Sequence, residues 1–179
     1  MCAAHPSQMH TTLSHHGCLA FDPIAPRDVA VVLNNARALQ LAAQAGDLRA
    51  LLRGRKFGLM CEIDDDSDSA SDAALFRRAA VELGAHVAHI RPSLTELSTV
   101  LEVLHTARML GRLYDAVECQ GMAADLVHRL GAEAGVPVDE AIASQRHPTA
   151  KLEALLDGDS PAFDKRRFVL QAVLLSTVA

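Results

Sequence analysis

The sequence predicts an α/β fold, a parallel sheet of about four strands flanked by helices in a single domain closed by a C-terminal packing helix. Three observations carry this. Short apolar runs alternate with helical stripes from residue 56 onward, glycines stand where those helices should stop, and the last segment is apolar on nearly every face.

The first helix begins near Pro26, whose fixed φ suits a first helical position, and carries Val29, Val32, Leu33, Ala36 and Leu39 on one stripe. Residues 56–63 read as a strand, and the acidic loop after it opens a helix that runs to about Leu83 and stops at Gly84. Residues 86–90 form the next strand. Ser93-Leu94-Thr95-Glu96 has the form of a capping box and predicts a helix from there to about Arg112. Strand 116–120, helix 122–134 ending at Gly135, strand 136–141 and helix 148–156 complete the alternation. Strands separated by helices imply right-handed crossovers, with ligands received at the carboxyl ends of the strands. Residues 163–178 begin charged and turn apolar on almost all sides, so this helix must be buried; its apolar part is too short for a membrane span.

The chain of 179 residues divides into a polar arm (1–20) holding His5, His10, His15 and His16, an α/β domain (21–157) and the C-terminal helix (158–179). A net charge of −5 with five Phe, one Tyr and no Trp lacks both the basic footprint and the stacking surface of a nucleic-acid binder. No run is long enough to span a bilayer and no signal-peptide pattern opens the chain, which predicts a cytoplasmic protein. Cys2, Cys18, Cys61 and Cys119 are widely spaced, as expected of reduced, mostly buried thiols.

The chemistry is ambiguous at one place above all. The loop entering the second helix carries Asp64, Asp65, Asp66, Asp68 and Asp72, where an α/β fold usually receives an anion on free backbone N–H groups. Alternating Asp64, Asp66 and Asp68 are weak candidates for a divalent cation, because the glycine and glutamate of an EF-hand loop are replaced by Ser69 and Leu75. Carboxylates that cap the helix are the simpler reading. His105 and His128 fall on helices, where a satisfied histidine is the default, and Cys61 and Cys119 at strand ends have no adjacent base.

The runs HTARMLGRLYDAVECQG, AGVPVDEA and RHPTAKLEALL, in this order over roughly residues 18–157, resemble the carbamoyl-phosphate domain of the aspartate and ornithine carbamoyltransferases, the ornithine type more closely. RRFVLQAVLLSTV resembles the closing helix of those enzymes, which returns to the first domain after a second, amino-acid-binding domain. Only a few residues separate Leu156 from Phe163, so the resemblance implies a chain without that second domain.

The resemblance also implies a degenerate site. The family's Ser-Thr-Arg-Thr-Arg phosphate loop falls on the acidic loop, where Ser67, Ser69 and Ser71 are the only hydroxyls. A second phosphate-binding arginine falls on Gln120, and residues reaching across the trimer interface fall near Glu96 and Val100. His147, Pro148 and Thr149 match the turn whose histidine meets the carbamoyl oxygen, but the glutamine that follows is Ala150. Each charge-assisted bond lost costs on the order of 1.5 to 3 kcal/mol, so two missing arginines remove two to four decades of affinity. The expectation is a carbamoyltransferase-like subunit without carbamoyl transfer, with His147 as a remnant, no cofactor, and assembly as a homotrimer or with a true carbamoyltransferase. The alternative is an enzyme or a small-molecule or metal binder using the remodelled crevice; the helix reading sets Arg77 and Arg78 back from the mouth, and a loop geometry that brought them nearer would undercut the expectation of inactivity.

Overall fold

A computed structural model describes residues 26–62, 71–158 and 160–178. The His-rich arm and Asp64, Asp66, Asp68, Ser67 and Ser69 lie outside the described residues. The elements run α1 (Pro26–Gln44), β1 (Lys56–Met60), α2 (Asp72–Glu82), β2 (His86–Ile90), α3 (Val100–Leu113), β3 (Ala116–Cys119), α4 (Ala124–Ala134), β4 (Val138–Glu140), a 3-10 helix (Pro148–Leu155) and α5 (Ala162–Val178).

The four strands are all parallel, as the alternation predicts, and stand in the order β2-β1-β3-β4. The chain leaves β1 toward β2 on one side and reaches β3 and β4 on the other. That places the switch point, where crevices open in such sheets, between the carboxyl ends of β1 and β3.

The pleat sends alternate residues to two different layers. Phe57, Leu59, Cys61 and Ala116 join a core with α1, α2 and α5, whereas Met60, Val117, Cys119 and Val138 join a second core with α3 and α4. Cys61 and Cys119 therefore face opposite sides of the sheet and do not converge; both are buried and neither is in a disulfide.

Helix ends follow local chemistry, with one correction. Ser71 caps α2 through its hydroxyl, which accepts from Ala74 N at 3.1 Å, and Gly135 ends α4 at φ 71°. The capping box that opens α3 is Thr99 with Glu102, not Ser93 with Glu96: Glu102 Oε2 accepts from Thr99 N at 2.7 Å while Thr99 Oγ1 accepts from Glu102 N at 3.3 Å. Both quartets satisfy the pattern, but the second lies directly before the buried stripe Val103, Ala107, Leu110. Residues 91–99 are consequently a loop, held by Arg129 Nη2 donating to Ser98 O at 3.1 Å. Likewise, residues 148–155 wind as a 3-10 helix instead of an α-helix, and β4 is three residues rather than six.

The closing helix is the most deeply buried of the five. Phe168, Val169, Leu170, Ala172, Val173 and Leu174 are each at most 4% exposed, and α5 lies against α1, α2 and the 3-10 helix. Polar bonds fix its pitch. Arg167 Nη1 grips both Glu82 oxygens at 2.6 and 2.5 Å, Gln171 Nε2 donates to Glu82 Oε2 at 3.0 Å, and Lys165 Nζ donates to Leu156 O at 2.9 Å. The short return from the 3-10 helix is pinned to α1 by Gln40 Nε2 donating to Ser160 Oγ at 3.0 Å.

Candidate functional site: the carboxyl end of the sheet

The crevice is built where β1, β3 and β4 end. Gln120 N donates to Met60 O at 2.8 Å and Ala141 N to Cys119 O at 2.9 Å, so the three strand ends are laced together beside the switch point. Ala141, immediately after β4, takes φ 50°, a left-handed conformation that costs a non-glycine residue about 1 kcal/mol or more. That bend turns the chain toward the loop carrying Ile142, Ser144 and His147.

Beneath the loop lies a buried polar layer that the sequence reading missed. Glu118 and Asp139 are register partners on β3 and β4, only 1% and 4% exposed, on the face covered by α5. Burial, and then the Asp139 charge, raise the Glu118 carboxyl well above its usual range, and burial pushes Asp139 up to about 7. Glu118 Oε1 accepts from Gln120 Nε2 at 3.2 Å and its Oε2 from Ile142 N at 3.3 Å. Gln120 is thus turned onto a carboxylate of its own chain.

The cation of this layer comes from α5. Arg166 is fully buried; its guanidinium donates to Thr149 Oγ1 at 3.2 Å, Ser144 O at 3.3 Å and Ile142 O. Burial holds it below its usual value, against the opposing pull of Glu153, Asp72 and Glu118. Arg166 escaped notice because it sits in a segment that reads as packing; the signal was an arginine where an otherwise apolar helix begins, a position that must be paired if buried.

From Arg166 a polarised chain runs to His147. Thr149 N donates to His147 Nδ1 at 3.4 Å, so Nδ1 is the acceptor, and the Thr149 hydroxyl, 2.8 Å away, donates to it while accepting from Arg166. Burial and the Arg166 charge lower His147 to about 4. Near neutral pH the ring is uncharged with its proton on Nε2, a hydrogen-bond donor suited to a carbonyl oxygen and no reservoir for a proton.

The other expected participants are placed as follows. Ser71 is occupied as the cap of α2, and Pro148 opens the 3-10 helix. Arg78 donates to Glu82 Oε1 at 2.9 Å, one turn farther from the mouth, and Arg77 beside it is half-buried. Glu96 and Val100 are exposed, His105 lies on the outer face of α3 and His128 on that of α4. Among the described residues no group of three or more His, Cys, Asp or Glu side chains is arranged to hold a metal ion.

Comparison with known proteins gives this geometry its context. The chain is 33% identical over 149 residues to the catabolic ornithine carbamoyltransferase of Chromobacterium violaceum, covering 83% of this chain and 43% of the relative. It is 34% identical over 130 residues to the ornithine carbamoyltransferase of Actinobacillus pleuropneumoniae, covering 73% and 38%. The chain is carbamoyltransferase-like. It spans less than half the length of these relatives. No protein-family model matches it. Among solved structures, the ornithine carbamoyltransferase of Pyrococcus furiosus superposes with a TM-score of 0.65 at 21% identity, over 81% of this chain and 45% of that one. The aspartate transcarbamoylase of Trypanosoma cruzi, solved with N-(phosphonacetyl)-L-aspartic acid, superposes with a TM-score of 0.58 at 20% identity, over 78% and 43%. These likenesses bear out the four-stranded parallel fold.

Proposed function

We propose that this carbamoyltransferase-like domain no longer transfers a carbamoyl group and serves in the cytoplasm as an assembly or regulatory subunit, as a homotrimer or joined to a true carbamoyltransferase. The observation that carries the reading is where the crevice spends its polar groups. Gln120 stands where the family has an arginine and binds Glu118, while Arg166 is committed to Thr149 and two carbonyls beneath α5. An entering phosphate would have to strip Arg166 from those acceptors and approach the charge of Asp72. At about 1.5 to 3 kcal/mol for each charge-assisted bond, such an exchange returns little net affinity. Six residues join the 3-10 helix to α5, so no acceptor domain stands between them.

The test is carbamoyl transfer from carbamoyl phosphate to ornithine or aspartate, assayed with the chain alone and mixed with an active ornithine carbamoyltransferase. The expected result is no turnover alone and a change in the partner's activity or assembly on mixing. Turnover by the chain alone would overturn the proposal.

A second reading has one observation in its favour. The Arg166–Thr149–His147 chain keeps His147 neutral and aims an N–H donor, a geometry able to hold a small carbonyl compound in the remodelled crevice. Under this reading Ser67, Ser69, Ser71, Gln120, His147 and Thr149 supply the polar contacts, and saturable binding lost in His147→Ala supports it.

A further inference from the structure

We infer that the buried carboxyl pair of Glu118 and Asp139 is an acid-closed latch on the last strand: with its protons in place it holds β4 and the bend after it against β3, and on losing one it lets that segment open to water. The two side chains occupy register-partner positions on neighbouring parallel strands and are 1% and 4% exposed. Such strands stand about 4.8 Å apart, which sets the two acids side by side. Glu118 spends both oxygens on its own chain, accepting from Gln120 Nε2 and from Ile142 N. Asp139 Oδ1 is buried, and none of the described residues donates a hydrogen bond to it. An ionised carboxylate held there has no compensating donor, so ionisation favours any opening that brings it to water.

The strand is built to yield. β4 is three residues long, stands at the edge of the sheet and pairs with β3 alone, and Ala141 leaves it at the strained φ of 50°. The groups around the pair do not rescue the anion in place. From β3 comes Glu118, itself an acid. From α5 comes Arg166, whose charge acts on Glu118 while its bonds go to Thr149, Ile142 O and Ser144 O; burial alone raises Asp139, to about 7. The 3-10 helix contributes Glu153, which acts on Arg166, and at its cap His147, which lies near 4 and is neutral above pH 5; α2 contributes Asp72, also acting on Arg166. On the other face of β4, α4 turns Leu130, Gly131 and Ala134 inward and exposes Asp125, His128 and Glu133. The sign follows from the raised carboxyl. Asp139 is protonated when closed and ionises when open, so the open fraction grows about tenfold per pH unit from roughly pH 4 to about 7 and levels off above. The bend leads into the loop that carries His147, so the latch sets how firmly that wall of the crevice is held, whether or not the crevice binds a ligand.

The test is amide hydrogen exchange of the full chain, read residue by residue by NMR between pH 5 and 8 and corrected for the intrinsic rate at each pH. The N–H groups of Ala141 and Ile142 bond Cys119 O and Glu118, whereas that of Gln120 bonds Met60 O between the central strands. The expected result is protection at Ala141 and Ile142 that falls at least tenfold from pH 5 to 7, levels off above, and at pH 7 is at least tenfold weaker than at Gln120. Asp139→Asn should abolish the fall. Protection that does not change with pH, protection equal to that of Gln120 throughout, or a fall that persists in Asp139→Asn would each overturn the inference. Because that variant can fail to fold, the wild-type Asp139 carboxyl is also titrated by its carbon-13 shift, and a midpoint below about pH 5 would overturn the inference as well.

Discussion

The two faces of the sheet solve the same burial problem in opposite ways. On the α3/α4 side the contact with the sheet is wholly apolar, Met60, Val117, Cys119 and Val138 meeting Val103, Ala107, Leu110, Leu126, Val127 and Leu130. On the α1/α2/α5 side a comparable apolar core surrounds Glu118, Asp139, Thr149, Arg166 and Gln171, all buried. Among the described residues Glu118, Asp139, Thr149 and Arg166 gather at the end of the sheet where a crevice opens, while Gln171 bonds Ala79 O and Glu82 farther down α2. The comparison separates what folds the domain from what remains of a site: the apolar face is specified by volume, and the polar face by a network in which each member depends on the next.

The largest expected effect breaks the polar face at its cation. Arg166→Met removes the donor shared by Thr149, Ile142 O and Ser144 O, and should destabilise the domain by about 3 to 5 kcal/mol in urea unfolding. A cost below about 1 kcal/mol would mean those acceptors are already satisfied by water.

Asp139 gives the same face a pH signature. Its carboxyl is raised from 3.8 to about 7 by burial, so the folded state holds a proton that the unfolded chain gives up. The stabilisation is therefore complete below about pH 4 and is lost as pH rises toward 7, amounting to at most about 4 kcal/mol. Asp139→Asn should flatten that decline in a series of melts between pH 4 and 8, and an unchanged slope would place the titration elsewhere.

The apolar face has its own weak point, set by closeness instead of charge. A Cβ added at Gly111 would stand 1.8 Å from Ala134 O on α4. Gly111→Ala should therefore cost about 1 to 3 kcal/mol, where the same change in an open helix stabilises. The smallest effect concerns the entry to α3: Thr99→Ala, which opens the capping box, should cost about 1 kcal/mol, whereas Ser93→Ala should be nearly neutral.

Most of the fold was legible in the sequence because it rests on periodicity. The parallel sheet follows from alternation, β2 falls on the predicted residues, and Gly84 and Gly135 end α2 and α4 as expected. What escaped depends on the third dimension. Two capping quartets six residues apart are equivalent as strings, and only the position of the buried stripe distinguishes them. The candidate site was legible at Gln120, His147, Pro148 and Thr149, which lie together at one end of the sheet. It was not legible at Glu118, Asp139 and Arg166, since an isolated charge in an apolar run gives no sign of its partner when the two lie on different elements.

The most direct test of the central claim, that this crevice is occupied by the chain's own polar groups, is calorimetric titration with carbamoyl phosphate at low ionic strength, where residual attraction is least screened. The account predicts no binding heat at millimolar ligand. Micromolar binding that disappears in Arg166→Met would contradict it, and would mean that the cation under α5 is available to a ligand after all.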